Sequence, residues 1–215
     1  MDKFSLWTGL AHSILAKSHP KLKRSQAGEC LATWLGHRTY ASWCVQDQAN
    51  LGAATYAITD AQAAIGRAHR LGFPVTGEQW HAVEMALSPS GISGELWLTS
   101  MPSMASAARL TFEDQAHPDV GRITQPIGMP DGRWGTSAVC HAAEGSLPEE
   151  LRFTVHGEVR AFGEDQALAV PVAADVLFRR IGARLYAHGE LLRVVQAGPP
   201  HFYEPDFEVD GYGMS

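Results

Sequence analysis

Histidine and glutamate recur one residue apart at two places in the second half of the chain. His156 precedes Glu158, and His188 precedes Glu190, with a single glycine inside each pair. Residues two positions apart on a β-strand point to the same face, so each pair could offer two ligands to a divalent metal. A turn at a hairpin tip explains the same His-Gly-Glu step, because glycine favours turns. We prefer the turn, and we assign no metal ligand and no cofactor.

Other catalytic patterns are incomplete. His81 and Glu84 fall on one helix face, but the H-E-x-x-H motif of zinc proteases is absent. Cys140 and His141 are adjacent, and adjacent strand residues point to opposite faces, so they cannot act as nucleophile and base. The G-x-S-x-G, Walker and G-x-G-x-x-G motifs are also missing. The sequence therefore favours a non-enzymatic protein and assigns no catalytic residue.

Positive charge is concentrated near the start of the chain. Residues 1–75 contain eight Lys and Arg against four Asp and Glu, whereas residues 76–215 contain nine against nineteen. A basic surface of this kind attracts nucleic-acid phosphates or an acidic protein surface. A helix face that is merely solvated is the alternative explanation. The candidate contact residues for nucleic acid or a protein partner are Lys21, Lys23, Arg24, Arg38, Arg67 and Arg70.

The stretch from residue 20 to residue 42 must position most of these cations. Its apolar residues share one face of a predicted helix: Ala27, Cys30, Leu31, Trp34 and Leu35. Gly36 provides a left-handed cap, and Thr39 caps a second short helix, so the stretch reads as a helix-turn-helix. The second helix has no Lys or Arg after Arg38. We therefore expect phosphate contacts rather than reading of duplex sequence.

The rest of the first half predicts three further helices. Apolar residues keep helical spacing from Asp2 to about Lys17. The T-x-x-Q sequences that begin at Thr59 and Thr76 are reciprocal caps that open two more helices. The segment NLGAATYAI is either a loop or a short strand. Residues 1–88 are thus expected to form a bundle of about five helices.

The second half changes to strand signals. Trp97, and then Leu110 with Phe112, suggest short strands, and residues 117–135, rich in proline and glycine, suggest a long surface connection. Strict alternation from Leu151 onward predicts one long strand or a hairpin that turns at His156-Gly157.

A helix and two similar hairpins complete this half. PVAADVLFRRIG, residues 171–182, has proline near its start and glycine at its end and predicts a helix. FTVHGEV and LYAHGEL are similar, which suggests two similar hairpins. The tail HFYEPDFEVDGYGMS is either an edge strand or a loose acidic tail.

These elements predict an α+β protein with two parts. A helical N-terminal domain with a basic surface covers residues 1–90, and a β-rich, mainly antiparallel, acidic C-terminal domain with one helix covers residues 91–215. Three cysteines cannot all pair, and no apolar run reaches the roughly 20 residues of a membrane span. We expect a cytoplasmic protein that does not contact a membrane.

The run KLKRSQAGECLATWLGHRTYASW, within residues 20–43, resembles a short helical module of bacterial proteins. Such modules occur in plasmid-borne and mobile-element-borne proteins and in some labelled glyoxalase-like. The resemblance implies an accessory protein of a mobile element that acts by binding. No catalytic residue is carried over, because the metal-binding strands of true glyoxalases have no matching counterpart.

The sequence supports two functional hypotheses. The first is a bacterial binding or regulatory protein whose basic N-terminal half contacts nucleic acid or a protein partner. The alternative is a metal-dependent enzyme that uses His156, Glu158, His188 and Glu190 on the β-rich half. The second requires that these four side chains converge on one site.

Overall fold

A computed structural model of the chain describes residues 3–87, 96–124, 133–141, 147–162 and 167–203. These residues form an α+β protein with seven α-helices and two sheets. The chain divides into two compact units. Unit 1 comprises Met1–Met104, Ala142–Leu151 and Phe178–Gly189, and unit 2 comprises Ala105–His141, Arg152–Leu177 and Glu190–Ser215. Two short segments of the second half of the chain therefore belong to the unit that contains the N-terminal helices.

Unit 1 contains five helices and a small sheet. The helices are α1 (Lys3–Leu15), α2 (Arg24–Trp34), α3 (Tyr40–Gln46), α4 (Ala61–Arg70) and α5 (Gly77–Leu87). Between α3 and α4 lie a short 3₁₀ helix, Asn50–Gly52, and strand β1 (Tyr56–Ile58). Strand β1 pairs parallel with β2 (Trp97–Thr99) and antiparallel with β6 (Leu185–Tyr186). The segment NLGAATYAI, left open in sequence, therefore contains a turn of helix followed by a strand.

The turn between α2 and α3 forms as the sequence predicts. Gly36 has a φ of 89°, and its N–H donates to the carbonyl of Thr33 at 3.0 Å. The N–H of His37 donates to the carbonyl of Ala32 at 2.8 Å, which completes a Schellman motif. Thr39 Oγ1 accepts the N–H of Ser42 at 3.1 Å and begins α3. Local cap chemistry thus fixes the path of this turn.

The two T-x-x-Q predictions have different outcomes. Thr76 and Gln79 exchange side-chain and backbone hydrogen bonds at the start of α5, as expected. At α4 the prediction is wrong, because Asp60 is the N-cap and its Oδ1 accepts the N–H of Ala63 at 2.9 Å. A carboxylate is a strong N-cap acceptor and stands one residue closer to the helix than Thr59.

Aromatic side chains fill the core of unit 1. Trp34 on α2 packs edge-on against Trp7 and Trp80, with ring centroids 6.4 Å and 6.1 Å away. The apolar face predicted for α2 is buried throughout: Ala27, Cys30, Leu31, Trp34 and Leu35. Burial of such side chains is the main source of stability in a helical unit.

The remaining elements lie mainly in unit 2. They are α6 (Met104–Gln115), α7 (His117–Thr124), β3 (Arg133–Cys140), β4 (Glu150–Phe162), β5 (Ala167–Arg179), β7 (Glu190–Gln196) and β8 (His201–Tyr203). The sheet order is β3-β4-β5-β7, and β8 also pairs with β5. The pairs β3–β4, β5–β7 and β5–β8 are antiparallel. Among the described residues, no helix is long and apolar enough to cross a membrane.

Two sequence predictions for residues 105–135 are wrong. Leu110 and Phe112 lie on helix α6, because the buried residues Ala107, Ala108, Thr111 and Phe112 follow helical spacing. The stretch 117–135 contains helix α7 and the start of β3, and residues 125–132 fall outside the described part of the chain.

Two further predictions for the second half are also wrong. Residues 171–182 do not form a helix, because Pro171 to Arg179 belong to strand β5, which is paired with β7. The His-Gly-Glu step at His156 is not a hairpin tip, since the β3–β4 ladder continues through His156 and Gly157. The second step, at His188, lies between β6 and β7, so the two similar sequences adopt different structures. Residues 204–215 of the tail lie outside the described residues.

Candidate anion-binding site

Four arginine side chains line one cavity of about 530 Å³ in unit 1. They are Arg38, Arg67, Arg70 and Arg184. The remaining lining residues are Thr33, Gly36, His37, Thr39 and Ala63. We call this space the arginine cavity. It is bounded by the end of α2, the turn before α3, one side of α4 and the segment before β6.

Arg67 is held in place by a carboxylate of α2. Its Nη2 donates to Glu29 Oε2 at 2.6 Å, and the other oxygen of Glu29 accepts the backbone N–H of Tyr40 at 3.2 Å. The Arg67 side chain is about one-quarter exposed, and its Nε is buried without a hydrogen-bond partner among the described residues. The terminal nitrogens are therefore the part of Arg67 that a ligand can reach.

Arg184 is fixed by a carboxylate and by close packing on a glycine. Its Nη2 donates to Asp60 Oδ2 at 2.9 Å, while Asp60 also caps α4. A Cβ added at Gly36 would lie 2.8 Å from Cγ of Arg184. Gly36 is thus required twice, once for its positive φ and once because Arg184 passes directly over it.

Arg38 and Arg70 are different, because both side chains are exposed. Neither forms a hydrogen bond or ion pair with another side chain in the part of the chain that the structure describes. Glu29 and Asp60 each balance one of the four arginine charges, so the cavity keeps two positive charges without a paired carboxylate. Such an arrangement favours an anionic ligand.

A buried pair of histidine and aspartate stabilises the turn between α2 and α3 from the protein interior. His37 Nε2 donates to Asp47 Oδ2 at 2.9 Å, and the two side chains are 1% and 4% exposed. Asp47 Oδ2 also accepts the N–H of Ala183 at 2.6 Å. A Cβ at Gly182 would lie 2.6 Å from that oxygen, so the backbone approaches Asp47 closely. Asp47 therefore joins the turn after α2 to the segment that carries Arg184.

The six predicted contact residues do not form one group. Arg38, Arg67 and Arg70 share the arginine cavity. Lys21 lines a second cavity of about 480 Å³, next to His19 and Phe73. Lys23 is exposed at the N-terminus of α2, and Arg24 donates to the carbonyl of Ser5 at 2.8 Å.

Sequence reasoning missed Arg184. It belongs to the second half of the chain and follows no helical or strand period with the other arginines. The one local signal is the pair of small residues before it, Gly182 and Ala183, since such residues permit close backbone approach. This signal indicates a tight contact but not its partner.

The alternative metal site lacks its required geometry. Across residues 3–87, 96–124, 133–141, 147–162 and 167–203, no three His, Cys, Asp or Glu side chains are grouped so that they could hold a metal ion. Glu158 instead accepts from Arg160 Nε at 2.6 Å and lies 3.3 Å from His201 Nε2. His156, Glu158, His188 and Glu190 thus do not converge on one metal centre.

Cys30, Cys44 and Cys140 form no disulfide, and Cys30 lies in the core, close enough to Arg67 and Arg70 to feel their charge. Burial raises the pKa of the Cys30 thiol to about 12, although the positive charge of Arg67 opposes this shift. A thiol with so high a pKa is not a nucleophile at neutral pH.

The arrangement can bind an anion but shows no nucleophile with an adjacent base. Two fixed guanidinium groups and two free ones surround a concave space, which suits a group with several acceptor oxygens. No protein family model, curated protein or solved structure matches the chain.

Proposed function

We propose that this chain is a non-enzymatic binding protein that holds nucleic acid through its phosphate groups. The observation that carries the proposal is the convergence of four arginines on one cavity in which, among the described residues, two have a carboxylate partner and two have none. Guanidinium groups bind phosphate oxygens through two parallel hydrogen bonds, which makes arginine well suited to this ligand.

The shape of the site favours nucleic acid over an acidic protein surface. A protein–protein contact of ordinary stability needs a broad surface patch, because it buries about 800 Å² on each partner. The arginine cavity is a concave space of about 530 Å³, which a projecting phosphate group can enter. The short helix α3 carries no cation, so the chain has no means of reading bases in a major groove from that helix. Binding is therefore expected to depend on phosphate rather than on sequence.

The module resemblance at residues 20–43 adds a biological setting to the proposal. In this setting the chain is a bacterial regulatory or accessory protein of a plasmid or another mobile element.

Fluorescence anisotropy with a labelled single-stranded oligonucleotide tests the proposal. The test variant is Arg38→Gln combined with Arg70→Gln, because both side chains are exposed and replacing them should leave the thermal midpoint unchanged. The matched control is Lys17→Gln with Arg193→Gln, which removes the same charge from exposed positions outside the cavity.

We expect the cavity variant to weaken binding at least about tenfold and the control less than about twofold. The logarithm of the wild-type affinity should fall with the logarithm of salt concentration with a slope of about −1.4, as expected when the two arginines that lack a carboxylate partner among the described residues contact a single strand. Equal weakening by the two variants would show that binding is diffuse and would reject the cavity as the site.

A further inference from the structure

We infer that the arginine cavity takes a phosphate monoester, the dianionic group at a phosphorylated strand end or on a nucleoside monophosphate. A phosphodiester inside a strand is the alternative that the cavity fits less well. This inference rests on the proposed function and specifies which phosphate the site binds.

Charge balance is the first argument for a monoester. Glu29 and Asp60 neutralise Arg67 and Arg184, and Arg38 with Arg70 leaves two positive charges in the cavity. A phosphate monoester carries a charge of about −1.5 to −2 at pH 7, whereas a phosphodiester carries −1. The dianion therefore matches the charge of the cavity and the diester leaves half of it unbalanced.

The number of donors is the second argument. A monoester presents three terminal oxygens, and a diester only two. Arg67 and Arg184 are fixed by their carboxylates, so their remaining terminal N–H groups are positioned before a ligand arrives. Thr39 Oγ1 accepts a backbone N–H and keeps its own proton to donate to a phosphate oxygen.

The walls of the cavity are the third argument. Lining residues come from four separate segments: the end of α2, the turn before α3, helix α4 and the segment before β6. A diester must continue as a chain on both sides, so it needs a groove with two exits. A terminal phosphate needs only one opening, and its three oxygens can accept from donors on the several segments that line the cavity.

The experiment compares three forms of one labelled single strand: 5′-phosphorylated, 3′-phosphorylated and with hydroxyl groups at both ends. Binding to the full-length chain is measured by anisotropy, with AMP and inorganic phosphate as competitors. We expect one phosphorylated form to bind at least about tenfold more tightly than the hydroxyl form. AMP should then compete better than inorganic phosphate, because it carries the same ester.

Two variants link this preference to the cavity. Arg184→Lys keeps the charge but loses the planar fork, and should abolish the preference for the phosphorylated end. Because Arg184 is packed against Gly36, the exposed pair Arg38→Gln and Arg70→Gln is the second test and does not depend on that packing. Both variants should lose the preference, and a preference that survives in both would overturn the inference.

The outcomes separate the two proposals. If all three strands bind equally and the binding needs Arg38 and Arg70, the chain binds nucleic acid and the monoester inference is wrong. If no strand binds but AMP binds and requires the same arginines, the monoester is supported with a free nucleotide as its source, and nucleic acid binding is wrong. If neither a strand nor AMP binds, both proposals fail.

Discussion

The arginine cavity of unit 1 and the exposed face of β4 in unit 2 place ionisable side chains in opposite ways. Glu158 on β4 accepts from Arg160 two residues further along the same strand and lies 3.3 Å from His201 Nε2 on β8, so this carboxylate has partners on its own sheet. In the cavity, arginines from separate segments meet, and two of the four have no carboxylate partner in the part of the chain that the structure describes. Oppositely charged side chains on an exposed strand pair with one another. Arginines that converge from several segments instead leave positive charge available to a ligand.

The largest expected difference concerns two aspartates. Asp47 in unit 1 is buried and accepts from His37 and from the N–H of Ala183, whereas Asp175 in unit 2 is exposed and accepts from Thr154. Asp47→Ala should cost about 3 kcal/mol or more of unfolding free energy, because buried donors lose their acceptor. Asp175→Ala should cost less than about 1 kcal/mol. Urea unfolding measures both.

Asp47→Asn provides the control for a variant that fails to fold. The amide keeps an acceptor oxygen for Ala183 and should recover part of the loss. If Asp47→Ala and Asp175→Ala lower the unfolding free energy equally, the buried pair of His37 and Asp47 does not stabilise the turn. The two aspartates would then not differ in the way that their burial predicts.

A smaller effect is expected from two glycines with positive φ. Gly72 has a φ of 83° and open space around it, whereas a Cβ at Gly36 would meet Arg184 at 2.8 Å. Gly72→Ala should therefore cost about 1 to 2 kcal/mol from backbone strain alone. Gly36→Ala should cost about 1 kcal/mol more, since overpacking adds to strain.

Gly36→Ala should also weaken phosphate binding, because it displaces Arg184, and Gly72→Ala should not. Chemical denaturation gives the stabilities and anisotropy gives the affinities. Equal losses of stability in both variants, with unchanged affinity, would mean that Arg184 does not depend on the glycine beneath it.

The buried thiol of Cys30 should make the stability of the folded chain depend on pH. Burial raises the pKa of this thiol from 9.0 to about 12, so above pH 9 the unfolded chain loses a proton that the folded chain keeps. Stability then falls as pH rises, by about 1 kcal/mol between pH 9 and pH 10. Cys30→Ala should remove this part of the decline, and the difference between the two unfolding curves isolates it.

Alkylation gives an independent reading of the same burial. Cys44 and Cys140 are partly exposed and Cys30 is buried. At pH 8, iodoacetamide should modify the first two and leave Cys30 unmodified in the folded chain. Rapid modification of Cys30 would show that the core beside the cavity opens easily.

The turn between α2 and α3 could be predicted because its chemistry is local. Helical spacing, the positive φ of Gly36 and the cap at Thr39 each depend on neighbouring residues. Residues 171–182 could not be assigned in the same way. Their apolar pattern fits a buried helix or a buried strand, and pairing with β7, which lies later in the chain, decides for the strand.

The site could be predicted in part for the same reason. Arg38, Arg67 and Arg70 all belong to the predicted helical half, and the structure brings them into one cavity. Arg24 appeared equivalent, but its contact with Ser5 on α1 is a matter of tertiary packing. Arg184 lies in the second half of the chain but belongs to unit 1. Neither charge nor periodicity in the sequence indicates this placement.

The smallest expected effect concerns the ion pair between Glu158 and Arg160 on β4. Arg160 Nε and Glu158 Oε2 are 2.6 Å apart, but Arg160 is 46% exposed, so water and salt weaken the pair. A double-mutant cycle with Glu158→Gln and Arg160→Gln should give a coupling below about 1 kcal/mol, and less in 0.5 M salt. Neither variant should change the affinity for a phosphorylated strand. A coupling well above this value, or a loss of affinity, would mean that this ion pair of the sheet takes part in binding, and that the arginine cavity is not the only place where this chain meets its ligand.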